Sequence, residues 1–254
     1  MTGPRWRVSV LGLAAAASAL LEGGVGRAFP QEPPADVVAD LEREAGARSG
    51  GACPDAGAYS LARPDPAAGP TVVGLGLVFQ DVASLSDVDQ TLDTDVYVEA
   101  RWRDPRLADP ARGDASFECL VPDGRLWIPA LEPENLRGRQ AFYPTRFRVD
   151  AKGVVTYSRR LWVKLSYPLD FRDFPLDRHR WRVTLWPVLS RTDEIVFHPL
   201  PSATGMNENL SIQGWRVGEP QARASTGSRV ARAGLFARFD VELSAAETAI
   251  YRIK

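Results

Sequence analysis

The chain has 254 residues, with 31 Lys+Arg against 32 Asp+Glu, a formal net charge of −1, 44% hydrophobic residues, two Cys and two His. That length supplies enough apolar surface for one large domain or two small ones, and the balanced charge argues against a general nucleic-acid binder, so no nucleic-acid partner is expected. Charged residues at 25% and aromatics at 9% exclude a disordered or collagen-like chain.

The first segment reads as an address. Arg5 and Arg7 precede an apolar run over residues 8–21, Glu22 and a glycine cluster end it, and Gly26-Arg27-Ala28 places small residues where a signal peptidase cuts. The run, about 14 residues, is short of the ~20 that a spanning helix needs, and no later stretch is apolar enough to cross a bilayer. Residues 1–28 are therefore predicted to be a secretory signal peptide. Basic side chains are almost all Arg, with Lys152, Lys164 and Lys254 the only lysines, a composition that suggests a bacterial genome and a periplasmic destination. In an oxidising compartment, Cys53 and Cys119 form an even pair, and a disulfide between them is expected, with two unpaired thiols as the alternative.

Residues 29–70 read as an N-terminal extension. Val37, Val38, Leu41 and Ala45 fall at helical spacing among acidic residues, which predicts one short amphipathic helix over residues 35–47. Ser49-Gly50-Gly51 stops it, and the Pro/Gly-rich stretch from Arg63-Pro64 to Gly69-Pro70 is a connector. From Thr71 onward, residues 71–254, the period is two. Val73, Leu75, Leu77 and Phe79 alternate with smaller residues, and Val96, Val98, Ala100 and Trp102 alternate with polar ones. The pattern returns at Val155-Tyr157 into Leu161-Val163-Leu165, at Trp181-Val183-Leu185, and at Leu235-Ala237-Phe239-Val241-Leu243. Together these predict an all-β fold, an antiparallel β-sandwich of about ten strands with an immunoglobulin-like Greek key, preceded by the short helix.

Catalytic chemistry finds no footing. His179 and His198 are the only imidazoles and lie in no ligand-spaced cluster, and no nucleophile elbow or phosphate-binding loop occurs. No enzyme activity, metal or cofactor is expected. Asp87, Asp89, Asp93 and Asp95 lack the glycine turn and closing Glu of a calcium loop and read as a solvated turn.

Four motifs stand in a fixed order. Trp102-Arg103-Asp104-Pro105-Arg106-Leu107 ends one strand, and Leu126-Trp127-Ile128-Pro129 with Asn135 follows a loop. Gly153-Val154-Val155-Thr156-Tyr157-Ser158 begins a hairpin return, and Tyr167-Pro168-Leu169-Asp170-Phe171-Arg172-Asp173-Phe174-Pro175-Leu176-Asp177 comes next. Trp102 and Trp127 read as core or strand-end anchors, while Phe174-Pro175-Leu176-Asp177 puts apolar side chains on a turn, where they imply a partner. In this order the motifs resemble the extracellular domain of the pentameric ligand-gated ion channels, the Cys-loop receptor family. The disulfide positions of its animal members are here Tyr167 and Trp181, which resembles the prokaryotic members; aromatic packing is expected to replace the covalent closure.

The resemblance implies a homopentamer with a small-molecule site between subunits. Carried over position by position, it assigns Glu134, Val188 and, from the neighbouring subunit, Tyr97 to that site. The capping loop, residues 220–234, carries Arg223, Arg229 and Arg232 and no aromatic residue. Arginines repel a quaternary ammonium and pair with carboxylate or phosphate, so the expected ligand is anionic or zwitterionic; the same arginines also fit a solvated loop tip. The resemblance further implies coupling to a pore-forming transmembrane domain of the same polypeptide through Asp89, Phe174, Pro175, Leu176 and Asp177, with Glu247 where the family usually has Arg. The chain is thus expected at the periplasmic face of a bacterial inner membrane as the ligand-sensing part of a channel. The competing expectations are a soluble exported binding protein of the same fold and a carbohydrate-binding sandwich.

Overall fold

The computed structural model of the chain describes residues 33–42, 60–86, 88–113, 116–120, 125–168, 172, 178–229 and 232–248. Within them one helix, α1 (Ala35–Glu42), precedes twelve strands: β1 (Thr71–Ser86), β2 (Thr91–Arg103), β3 (Phe117–Leu120), β4 (Leu131–Pro133), β5 (Leu136–Val149), β6 (Val154–Ser166), β7 (Arg178–Pro187), β8 (Ile195–Pro199), β9 (Gly205–Met206), β10 (Trp215–Val217), β11 (Gln221–Arg229) and β12 (Arg232–Glu247). Seven form one sheet in the order β3-β5-β6-β2-β1-β8, with β9 also beside β1; five form the other, β10-β12-β7-β4, with β11 also on β12. The pairing is antiparallel except that β8 and β9 run parallel to β1.

The alternation read from sequence is the inner face of this sandwich. Val73, Leu75, Leu77 and Phe79 on β1 and Val96, Val98, Ala100 and Trp102 on β2 are buried, and Trp181, Val183, Leu185, Phe239, Val241 and Leu243 meet them from the other sheet. Burying each such side chain contributes about 1.5–3 kcal/mol, which commits the strands to this register because a one-residue slip would turn every one of them outward. Trp102 packs edge-on against Trp127, ring centroids 5.5 Å apart, as the anchor reading of both residues requires.

β1 is buried on both faces at its start. Its small alternating residues are the reason: a Cβ on Gly74 would lie 2.9 Å from Leu200 Cδ2, so the chain at Leu200–Ala203 rests directly on the strand. There a second cluster, Leu41, Val72, Val154, Val196 and Leu200, seats α1 on the outer face of the seven-stranded sheet. Buried Arg101 donates from Nη1 to the Leu41 carbonyl at 3.0 Å, Lys152 Nζ meets Asp40 Oδ1 at 2.6 Å, and His198 Nε2 meets Glu42 Oε1 at 2.9 Å. The helix begins at Ala35 as predicted; beyond Glu42 its expected continuation lies outside the described residues, as does the signal segment. The connector is tied down: Arg63 donates to the Gly69 carbonyl at 2.6 Å, Arg106 to the Ala62 carbonyl at 2.9 Å, and the Trp127 N–H to the Ser60 carbonyl at 2.7 Å.

Four sequence expectations change. The capping loop is a hairpin whose first arm, β11, runs to Arg229; its inward residues Ala222 and Ala224 are too small to announce a strand. Leu235 is half exposed rather than inward, because the buried phase at that end passes to Phe236. Asp93 and Asp95 belong to β2, not to a turn; Asp93 stands opposite Lys164 of β6, and Asp95, opposite Trp162, pairs diagonally with Arg160. Tyr167 and Trp181 make no ring contact. Tyr167 instead donates its phenol proton to the Arg180 carbonyl, and Trp181 packs on Trp215 with centroids 5.6 Å apart.

Candidate functional site

The outer face of the five-stranded sheet carries the residues of interest. β4 pairs with β7 so that Glu132 stands opposite Trp186, and the Glu134 N–H donates to the Thr184 carbonyl at 2.9 Å. The Val188 N–H donates to the Ala130 carbonyl at 2.8 Å. On the other side of β7 the β12 ladder brings Asp240 to Thr184, whose hydroxyl donates to Asp240 Oδ1 at 2.6 Å. The β11–β12 hairpin closes over this row.

Trp186 is the centre of the arrangement. It follows Arg180, Arg182 and Thr184 in the outward phase of β7 yet is buried, because the Arg229 and Arg238 guanidiniums lie over its ring at 5.7 and 5.5 Å from the centroid. Stacking of this kind contributes about 0.5–2 kcal/mol per pair depending on desolvation. Arg229 also donates to the Pro187 carbonyl at 3.3 Å and is ion-paired with Glu132 Oε1. Arg232 donates to the Val188 carbonyl, and Arg238 is held by Asp240 at 2.9 Å. The hairpin is thus latched to the β7 end by two arginines, 42 and 44 residues along the chain from their carbonyl partners.

The fold therefore brings Glu134, Val188, Arg229 and Arg232 onto one face. Arg223 is six residues back along β11, about 20 Å from Arg229 at strand rise, opposite Asp240. Tyr97, 37% exposed, is on β2 in the other sheet, where it pairs with Val78 and Arg160. One copy of the chain does not unite it with the Trp186 face. Trp186, Arg238 and Glu132 escaped the sequence reading; the available signal was a Trp in the polar phase of a strand.

At the opposite end of the sandwich, Asp89 lies in the β1–β2 turn, where its Oδ2 accepts from Ser86 Oγ at 3.0 Å. The Tyr167 N–H donates to the Gln90 carbonyl at 2.7 Å, so this turn is fastened to the chain entering residues 169–177. Glu247 ends β12 opposite Trp215. Phe174, Pro175, Leu176 and Asp177 lie outside the described residues, as do Cys53 and the side chain of Cys119. Among the described residues no helix is long and apolar enough to cross a membrane.

Residues 59–232 match the family described as neurotransmitter-gated ion-channel ligand binding domain. The chain is 27% identical over 149 residues, 58% of its length, to a proton-gated ion channel of Gloeobacter violaceus, of which the match covers 41%. It is 31% identical over 121 residues, 45% of its length, to a gamma-aminobutyric acid receptor alpha-like protein of Drosophila melanogaster, covering 17% of that protein. With the neuronal acetylcholine receptor subunit alpha-6 of Rattus norvegicus it shares 24% over 151 residues, 58% of the chain and 31% of that protein. The chain spans less than half the length of these relatives.

Proposed function

The chain belongs to the neurotransmitter-gated ion-channel ligand-binding domain family, and from that membership we propose that it is the periplasmic sensing part of a bacterial homopentameric channel whose pore lies in further sequence. Members of the family are pentameric ligand-gated channels that bind small molecules, and they are not enzymes. The ligand sits where the β11–β12 hairpin meets the end of β7, and the Tyr97 face of a second copy completes the cleft. Support comes from the latch itself: Arg229 and Arg232 hold the hairpin to Pro187 and Val188, so a ligand that competes for either guanidinium moves the hairpin. A ligand biases a two-state equilibrium only through such differential contacts.

The pairing pattern narrows the ligand. Glu132 neutralises Arg229, Arg232 spends one donor on an uncharged carbonyl at Val188, and Glu134 is exposed further along the same face, level with Thr184. Arg232 is thus the group left for a carboxylate and Glu134 the group left for an ammonium, which fits a zwitterion better than a simple anion. Asp89, Phe174, Pro175, Leu176, Asp177 and Glu247 belong to the end that faces the pore in this reading.

Titration calorimetry with small zwitterions, carboxylates and quaternary amines tests the ligand class, with sedimentation reporting assembly. Zwitterion binding that is lost in Arg232→Gln is expected. Tight binding of amines alone overturns the ligand assignment, and undiminished binding by a strict monomer favours a soluble binding protein of the same fold.

A further inference from the structure

Beyond the Trp186 cluster, toward the Arg178 end of the same outer face, the structure holds a cavity of about 490 Å³ that none of the roles above uses. Three strands build it. Arg178 of β7 and Arg216 of β10 both pair with Ala246 of β12, from opposite sides, so two guanidinium stems flank one small residue. One row along, Arg180 pairs with Ser244, and the Gly218 N–H donates to the Ser244 carbonyl at 2.9 Å. Ala246, Ser244 and Gly218 make the floor and the arginines the walls. A Cβ on Gly218 would run into Ser244 Oγ, so any larger residue there fills the floor.

Two of the three guanidiniums at this cavity are uncompensated among the described residues. Among the described residues no carboxylate lines it. Glu242 is shared between Arg180 at 3.5 Å and Arg182 at 2.7 Å, while Arg178 and Arg216 make no ion pair or hydrogen bond among the described residues. Like charges held around a concave surface repel, and an anion between them removes that cost. Guanidiniums from β7 on one side and from β10 on the other, with the Ser244 hydroxyl on the floor, offer more donors than the two forks that satisfy a planar carboxylate, and so match a tetrahedral oxyanion better.

We propose that Arg178, Arg180 and Arg216, over the Ser244–Ala246 floor, form a binding site for a phosphate group, carried by a phospholipid headgroup or free in solution. The site stands on sheet register and charge alone. Only the availability of a lipid there depends on the channel reading, in which this end faces the membrane.

The test uses the whole chain. Inorganic phosphate, titrated against chloride at constant ionic strength, is expected to shift the Arg178 and Arg216 side-chain resonances saturably and to raise Tm. Apparent affinity is expected to fall at least tenfold in Arg178→Gln/Arg216→Gln, since each charge-assisted hydrogen bond lost is worth about a factor of ten or more. Gly218→Ala keeps the charge and fills the floor, so it should weaken binding as well. Sedimentation with phosphatidylcholine vesicles, with and without phosphatidylglycerol, separates the sources: variant-sensitive binding to anionic vesicles assigns the lipid, and a response to inorganic phosphate alone assigns the free ion. No saturable shift in the native chain with either probe overturns the proposal, as does equal binding by the native chain and both variants. Because none of these readouts involves the zwitterion titration, the two proposals fail separately.

Discussion

Trp186 occupies the space that a side chain at position 227 would need: a Cβ on Gly227 would lie 2.9 Å from Cη2 of the indole. β11 can cross so close only because residue 227 is bare, and that approach carries Arg229 to its place over the ring. Gly227→Ala must push the ring or the strand aside in a packed site. The expected loss is about 1–3 kcal/mol of stability, with a shift in tryptophan emission as the ring is exposed. Denaturant unfolding followed by fluorescence checks both; an unchanged midpoint and spectrum would show that the hairpin is not packed on Trp186.

α1 depends on one buried cation. Arg101, with its side chain 7% exposed, joins Glu99 at 2.5 Å to the Leu41 carbonyl at the end of the helix. Arg101→Met keeps the stem but leaves the Glu99 carboxylate uncompensated, and breaking such a pair costs about 3–5 kcal/mol when it is fully buried, somewhat less here because Glu99 retains partial exposure. Hydrogen exchange is expected to show α1 amides losing protection while the β2–β6 ladder keeps it. Uniform protection in the variant would sink this account of the helix.

The sequence displayed the sandwich wherever one face of a strand is large and apolar, as on β2, and concealed it where the inward residues are small, as Ala222 and Ala224 are on β11. Strands of two to five residues, such as β4, β8, β9 and β10, are too short to show a period at all. β5 was hidden because Gly138 and Pro144 interrupt it. The site was half legible. Glu134 and Val188 came from motif position, but the Arg229–Glu132 pair joins residues 97 apart, and only the β4–β7–β12–β11 register creates it. Likewise the phosphate cavity follows from Arg178 and Arg216 sharing Ala246, which no linear spacing announces.

Tyr167 makes stability at the Asp89 end depend on pH. Burial raises the phenol above its ordinary 10.0, with Arg182 acting in the opposite direction, and the proton is donated to the Arg180 carbonyl. The fold therefore favours the neutral phenol. Its contribution is fully present below 10.0 and is lost as pH rises through the higher folded value. Tyr167→Phe removes the hydrogen bond, about 1 kcal/mol, so the native chain should be the more stable at neutral pH. Above about pH 10 that advantage should shrink, which paired melting curves will show. A difference independent of pH would mean that the hydroxyl is not buried in this contact.

Asp104 gives the Trp102-to-Leu107 motif a physical role. Its carboxylate, 1% exposed, accepts from the Arg106 backbone N–H at 3.1 Å, capping the turn Pro105–Leu107, and from Arg106 Nε and Nη2 at 2.8 and 2.7 Å. That hydrogen bonding raises the Arg106 pKa, against desolvation of the guanidinium, and leaves Nη2 aimed at the Ala62 carbonyl. The Asp104 N–H donates to the Gly153 carbonyl at 2.8 Å, and Gly153, at φ 78°, passes so close that a Cβ would strike the Asp104 carbonyl. One residue thus joins the β2 end, the connector through its carboxylate and Arg106, and the β5–β6 turn through its backbone. Asp104→Asn retains the cap, since Asn accepts equally well there, but removes the charge that holds Arg106. The expected cost is about 1–3 kcal/mol, because Arg106 loses a charged acceptor, and the connector at residues 60–70 should become the first site of limited proteolysis. Arg106→Gln should reproduce the proteolysis with a smaller change in midpoint, since Asp104 keeps its backbone donor. If cleavage in that segment is no faster in either variant, the connector is held by Arg63 and Trp127 alone.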